Sequence, residues 1–209
     1  MKHVIMTTLV LFTVAIVPLA HSQIQPVVYL NVGAAVPSAP ELFSNRWDRG
    51  FNVGGGIGFS LTPHFTLQGY VDYNNLKLNE ENLFTEYPKL GERVSVEGGE
   101  LKLLTISGNV KALLVPPKST IAPYVIGGTG FYKQDVSDIL ITGKLVQVEL
   151  GVASKTTFAV GVGAGLDINL TDTIAFFIEG KYTIGFTENF ADKESIKYVP
   201  VKIGLAFKL

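Results

Sequence analysis

The stretch FAVGVGAGLDINL, residues 158–170, decides how this chain is read. Gly161, Gly163 and Gly165 fall on every second residue, and Phe158, Val160, Val162, Ala164, Leu166 and Ile168 lie between and around them. A phosphate-cradling dinucleotide loop needs G-x-G-x-x-G between a strand and a helix, its last glycine three positions after the second. Here the period is two throughout. That is the period of a strand, whose successive side chains point to opposite faces. The segment is therefore a strand that is greasy on one face and nearly bare on the other, and the bare face is what needs a cause.

The same alternation recurs in seven more segments. Strand one, about 26–36, sets Val28, Leu30, Val32 and Ala34 against Tyr29, Asn31 and Gly33. Strand two, about 51–61, sets Phe51, Val53, Ile57, Phe59 and Leu61 against Asn52, Gly54, Gly56, Gly58 and Ser60. Strand three, about 65–74, sets Phe65, Leu67, Val71 and Tyr73 against Thr66, Gln68, Tyr70, Asp72 and Asn74. Strand four, about 102–115, sets Leu104, Ile106, Val110, Ala112 and Leu114 against Thr105, Ser107, Asn109 and Lys111. In strand five, about 121–133, both faces carry apolar residues; Tyr124, Ile126 and Tyr132 are taken as the apolar face, with Val125, Gly127 and Thr129 behind. Strand six is the opening quotation, with Asp167 on its bare face. Strand seven, about 174–186, sets Ile174, Phe176, Ile178, Tyr182, Ile184 and Phe186 against Glu179, Lys181 and Thr183. Strand eight, about 196–209, sets Val199, Val201, Ile203, Leu205, Phe207 and Leu209 against Lys202, Gly204, Ala206 and Lys208.

The links alternate in length. Short ones sit around 62–64, 116–119 and 169–172; long ones run over about 37–50, 75–101, 134–155 and 187–195. Short turns at one end and long loops at the other, on an even number of strands, describe a transmembrane β-barrel. Closure is required there, because an unpaired N–H or C=O in hydrocarbon costs several kcal/mol. The expected fold is all-β: an eight-stranded antiparallel up-and-down transmembrane β-barrel over residues 23–209, with strands of about 9–13 residues.

The bare faces now have a cause. An eight-stranded barrel has an interior just wide enough for side chains to fill. Glycines make room there, and Asp72, Lys111, Asp167, Glu179, Lys181 and Lys202 are the expected polar cluster of the lumen. Buried charges persist when paired and hydrogen-bonded, so Glu179 and Asp72 are expected to pair with some of Lys111, Lys181 and Lys202. Phe51, Tyr73, Tyr124, Tyr132, Tyr182 and Phe186 are the expected aromatic girdle near the strand ends. A soluble barrel of the lipocalin kind would turn the apolar faces inward and put Asp72, Glu179 and Lys181 in water; too few charges would then cover its outside.

Composition narrows the function. Charged residues are 17%, below the roughly 25% of soluble domains. A net charge of −1 gives no footprint for nucleic acid, and the absence of cysteine excludes a disulfide framework or a thiolate metal site. At the N-terminus, Lys2 and His3 precede an apolar run from Val4 to Ala20 that ends Ala20-His21-Ser22, the pattern of a signal peptide over residues 1–22.

Taken together, YLNVGAAVP (29–37), VGGGIGFSL (53–61), APYVIGGTGFY (122–132), FAVGVGAGLDINL (158–170), FFIEGKYTIGF (176–186) and YVPVKIGLAFKL (198–209) make the chain resemble the small outer-membrane β-barrels of the OmpA and OmpX type. The resemblance implies export to the outer membrane of a Gram-negative bacterium, outer-membrane lipid against the greasy faces, and insertion by the assembly machinery through the C-terminal strand. Members of that family usually end on Phe; here the end is Phe207-Lys208-Leu209, still apolar at its outward positions. The chain ends at its last strand, so no cell-wall-binding domain is expected.

No enzyme, cofactor or metal site is expected. His3 and His21 belong to the signal and His64 to a short turn, so the long loops lack the usual base or nucleophile activator. The expected role is structural or interactive, through long extracellular loops that contact a partner; binding or passage of small hydrophobic molecules is the alternative. The loop candidates are Ile139, Ile141, Leu145 and Val148 in DILITGKLVQVEL (138–150), which flank a hairpin turn at Thr142-Gly143-Lys144. RVSVEGGELKLL (93–104) alternates in the same way, and both are expected to extend the barrel wall above the membrane.

Overall fold

The computed structural model describes residues 25–79, 94–137, 139–143, 147–150, 154–186 and 195–209. The expected signal peptide lies outside the described residues. Eight long strands close on themselves: β1 (Gln25–Ala39), β2 (Gly50–Ser60), β3 (Phe65–Lys77), β5 (Glu100–Leu113), β6 (Ile121–Val136), β9 (Ser154–Asn169), β10 (Ile174–Gly185) and β11 (Ile196–Lys208). Each is antiparallel to its neighbours in sequence, and β11 pairs back to β1, so no edge is left open in the wall. The remaining elements sit in the long links: helix α1 (Glu41–Arg46) and the short strands β4 (Val94–Gly98), β7 (Ile139–Gly143) and β8 (Gln147–Leu150).

Four wall strands, β1, β3, β6 and β9, are longer than the alternation suggested, reaching 16 residues in β6 and β9, and the other four come within one residue of it. Their ladders continue at the loop end past the apolar stretch, where Lys133, Asp135 and Thr156 occupy outward positions. Hydrogen-bonded pairing does not stop where lipid contact stops, so a reading of apolar residues truncates such strands.

Register fixes the shape. Following paired residues once around, Val27 leads to Gly58, Gln68, Asn109, Gly128, Gly161, Thr183, Tyr198 and then Pro37. The circuit returns ten residues further along β1. A stagger of ten over eight strands tilts them by about 40° and makes a level line climb little more than one residue per strand relative to the pairing rows.

Seven faces point as the sequence indicates. Leu30, Val53, Val71, Ile106, Val162, Ile178 and Ile203 are exposed on the outside, and Val162 alone leaves 66% of its surface uncovered. Strand five is the exception. Tyr124, Ile126 and Tyr132 are buried inside, while Ile121, Val125 and Phe131 face outward. Tyr124 and Tyr132 are therefore not girdle residues. Their rings lie over glycines of the lumen wall, Tyr124 over Gly165 and Tyr132 over Gly185, where a Cβ would collide with them. Alternation could not choose between two apolar faces; the glycines opposite did.

The outward aromatics form two levels. Toward the loops stand Phe51, Tyr73, Tyr182 and Phe186 from the expected set, together with Phe131 and Phe158, which it lacked. Five of these rings touch in two groups: Phe51–Tyr73 at 5.9 Å, and Phe131–Phe158 at 5.6 Å with Phe158–Phe186 at 6.1 Å between centroids. Toward the turns stand Phe59, Phe65, Phe176 and Phe207. Along the tilted strands the two levels are about eight residues apart, roughly 20–25 Å of axial rise, the height of an outer-membrane apolar band.

Candidate functional site

The lumen is filled through its middle and its loop end, and its contents are layered. The middle layer is ionic. Lys202, on β11, lies directly across from Glu179 on β10 and puts its Nζ 2.6 Å from Asp72 Oδ2 and 4.0 Å from Glu179 Oε1. Glu179 also accepts a hydrogen bond from the Tyr124 hydroxyl at 3.1 Å. Lys181 donates to Asn109 Oδ1 at 3.0 Å, across the barrel from β10 to β5. These groups are buried, so the partners replace water that the site excludes.

Each expected lumen residue lies inside. Asp72, Lys111, Glu179, Lys181 and Lys202 are buried, and Asp167 is half-buried. Asp72 and Glu179 both pair with one of the three expected lysines. Lys202 alone reaches both Asp72 and Glu179, while Lys111 turns away to Asp167, with contacts of 2.7 and 2.6 Å that span β6. The Lys111 ammonium also lies 3.9 Å from the Tyr124 ring centroid, a cation–π contact.

Sequence reasoning left out a second inward set. Asn31 donates to Asn52 at 2.9 Å and to Asp72 at 3.2 Å, Asn52 donates to Asn74 at 2.7 Å, and Asn74 donates to the Leu103 carbonyl at 3.3 Å. This amide ladder crosses β1, β2 and β3 and ends on β5. The signal was present: all three asparagines sit on the bare faces of consecutive strands.

The two ends differ. At the loop end Ala35, Leu76, Leu101, Leu103, Tyr132, Ala159, Ile196 and Tyr198 form an apolar plug, and α1 adds Phe43 from above. Trp47 packs against the plug and pairs with Leu78, continuing the β2–β3 ladder beyond the two wall strands. At the turn end a cavity of about 260 Å³ opens, lined in part by Lys111, Asp167, Asn169 and Lys208. The lumen is thus sealed toward the loops and hydratable toward the turns. His64 lies in the β2–β3 turn with Nδ1 3.3 Å from the Leu113 carbonyl oxygen.

In the long links, β4, β7 and β8 form a three-stranded antiparallel sheet in the order β4-β7-β8. This corrects the expectation that these segments extend the wall, except for Glu100–Leu104, which do extend it as the start of β5. Gly99, at φ 74, takes the left-handed conformation that favours glycine and separates β4 from β5. β4 is then free to pair with β7, Val96 opposite Ile141, and β7 with β8, Ile141 opposite Val148. Ile139, Ile141 and Val148 are thus brought together in one sheet, while Leu145 lies outside the described residues.

No curated protein matches the chain by sequence. Among solved structures it is similar to Neisserial surface protein A at TM-score 0.59 and 16% identity, over 88% of this chain and 97% of that one. It is similar to the outer membrane protein OprG of Pseudomonas aeruginosa at TM-score 0.51 and 12% identity, over 88% and 96% of the two chains. At such identity these likenesses concern the fold. The sequence profile of the outer membrane protein beta-barrel domain matches residues 6–208. With nearly its whole length covered by that profile and its eight strands closed around a filled lumen, the chain belongs to the outer-membrane protein β-barrel domain family, and it is a small integral barrel of the bacterial outer membrane.

Proposed function

We propose that this barrel is a rigid, sealed base that displays its loop sheet to a partner outside the cell, in adhesion or surface contact. In this reading the short turns face the periplasm and the long loops face outward, the arrangement usual for such barrels. The observation that carries it is the sheet β4-β7-β8, which none of the eight wall strands needs for closure. Among the described residues β4 and β8 are each paired on one side only. A strand edge of this kind offers backbone donors and acceptors to an incoming strand, with alternate side chains supplying specificity. The apolar plug supports the same reading, because it leaves no continuous aqueous path toward the loops.

Deleting residues 138–150 tests it. The expected result is loss of cell-surface or partner binding while heat-modifiable gel migration, the mark of a closed barrel, persists. Unchanged binding with altered uptake of apolar compounds would favour passage of hydrophobic molecules instead. Steady large conductance in single-channel recordings would contradict a sealed lumen.

A further inference from the structure

Below the apolar plug, the inward side chains do not balance in charge. Among the described residues they include the carboxylates of Asp72, Asp167 and Glu179 and the ammonium groups of Lys111, Lys181, Lys202 and Lys208. The middle layer is neutral in itself. Lys202 meets Asp72 and Glu179, and Lys181 lies two residues from Glu179 on the same face of β10. The surplus positive charge therefore falls at the turn end, with Lys111, Asp167 and Lys208. Both oxygens of Asp167 are taken by Lys111, at 2.7 and 2.6 Å. Lys208 shares the inward face through its pairing with Val27, and its Nζ donates at 2.9 Å to the Asn169 amide oxygen, a neutral partner. Asn169 is fixed in turn by donating to the Ser119 carbonyl at 2.7 Å. An ammonium group has three donors, so Lys208 is held in place with donors to spare.

These groups border the turn-end cavity of about 260 Å³, and the rest of its lining is of another kind. Val27, Ala122, Ala175 and Ala206 line it too, and none is more than 5% exposed. Val27, Ala175 and Ala206 belong to the apolar cluster that Tyr29, Tyr70 and Phe177 complete. The cavity thus sets a spare cation beside an apolar wall of small side chains. We propose that it binds a short aliphatic carboxylate, the carboxylate on Lys208 and the hydrocarbon against Val27, Ala175 and Ala206. The anion supplies the missing negative charge through a charge-assisted hydrogen bond, which is stronger than one between neutral groups. The methylene groups cover the apolar wall, which a bare inorganic anion would leave facing water. A long chain has nowhere to go, because the ionic layer and the plug fill the lumen above. Binding depends on the turn end alone, so it stands or falls separately from the loop-display reading.

The test uses the full barrel in detergent micelles with isotope-labelled alanine methyl groups, titrated in turn with sodium butyrate, butanol and sodium chloride and followed by NMR. Butyrate is expected to shift the Ala122, Ala175 and Ala206 signals with a Kd on the order of 1 mM, and to leave Ala159 in the plug unmoved. Butanol has the same chain without the charge, and is expected to bind at least about tenfold more weakly, the worth of one charge-assisted hydrogen bond. K208Q is expected to weaken butyrate binding to the same extent, and K133Q, at the loop end, to leave it unchanged. Heat-modifiable migration verifies that each variant is folded, and the butanol comparison on the unaltered barrel decides the matter of charge even if K208Q does not fold. No shift with butyrate, equal binding of butanol, or undiminished binding in folded K208Q would overturn the inference. Chloride that reproduces the shifts and displaces butyrate at equal concentration would overturn the assignment to a carboxylate.

Discussion

A methyl group added at Gly165 and one added at Gly69 should have opposite fates, although both glycines belong to the same barrel wall. At Gly165 the new Cβ would meet the Tyr124 ring and the Ile178 carbonyl oxygen; at Gly69, which faces lipid, nothing lies within 4 Å. Gly165→Ala is expected to destabilise the barrel by about 1–3 kcal/mol, the usual cost of overpacking, and Gly69→Ala to change it by about 0.5 kcal/mol or less. Urea unfolding in lipid vesicles reads both, and equal effects would overturn the account of why one face is bare. The ionic layer makes a second residue-scale case. Lys202→Met removes the cation 2.6 Å from Asp72 and leaves two carboxylates buried, so a loss of about 3–5 kcal/mol is expected by the same measurement. That charges of both signs fill the lumen could be read from their place among glycines. Which lysine meets which carboxylate could not, because Lys111 reaches Asp167 over an intervening strand and that reach depends on the stagger of the whole circuit.

Among the elements, β6 and β9 form the longest pair in the wall, and their loop ends leave the membrane together. There Asp135 lies opposite Ser154 and 3.2 Å from Lys133. The hydrogen bond from Ser154, and then the one from Lys133, hold the Asp135 carboxyl below the ordinary carboxylate range. A depressed value in the folded state means that the contact contributes above the unfolded value and is lost as pH falls through the folded one. Ser154→Ala is expected to move Asp135 back toward the ordinary range, and Lys133→Ala to move it in the same direction. A carboxyl-carbon NMR titration would show it, and an unmoved midpoint would mean that the two strands are not paired there as described. β6 is also where sequence reading failed. Ile121, Val125 and Phe131 are as apolar as Tyr124, Ile126 and Tyr132, so a rule of greasy side outward had no purchase. The deciding facts were the glycines opposite and the carboxylate waiting for a hydroxyl, and both belong to other strands. In the other seven strands one face was plainly polar or bare, and there the side facing lipid was legible. The loop sheet was legible as strands but not as a separate sheet, since its independence turns on one left-handed glycine.

At the scale of the molecule, strand number, stagger and girdle spacing must agree, because tilt converts residues along a strand into depth in the bilayer. Val162, Phe176 and Phe158 sample that depth on two neighbouring strands, since Tyr182 of β10 opposes Val162 and Phe176 opposes Ile168. Levelled by the stagger, Val162 falls near mid-bilayer, Phe176 in the turn-side girdle and Phe158 in the loop-side girdle, each about 10–15 Å from the middle. Oxygen concentrates in the hydrocarbon, and a nickel chelate stays in water. A nitroxide at Val162 is therefore expected to collide most with oxygen and least with nickel. Labels at Phe176 and Phe158 should show lower and similar ratios, one from each side. A barrel with its greasy faces turned inward would reverse the order at Val162, and a different stagger would make the two girdle labels unequal. Agreement at all three sites would tie the bare face of residues 158–170 to the place of the whole barrel in its membrane, since only a wall with lipid outside and glycines, tyrosines and ions within satisfies them together.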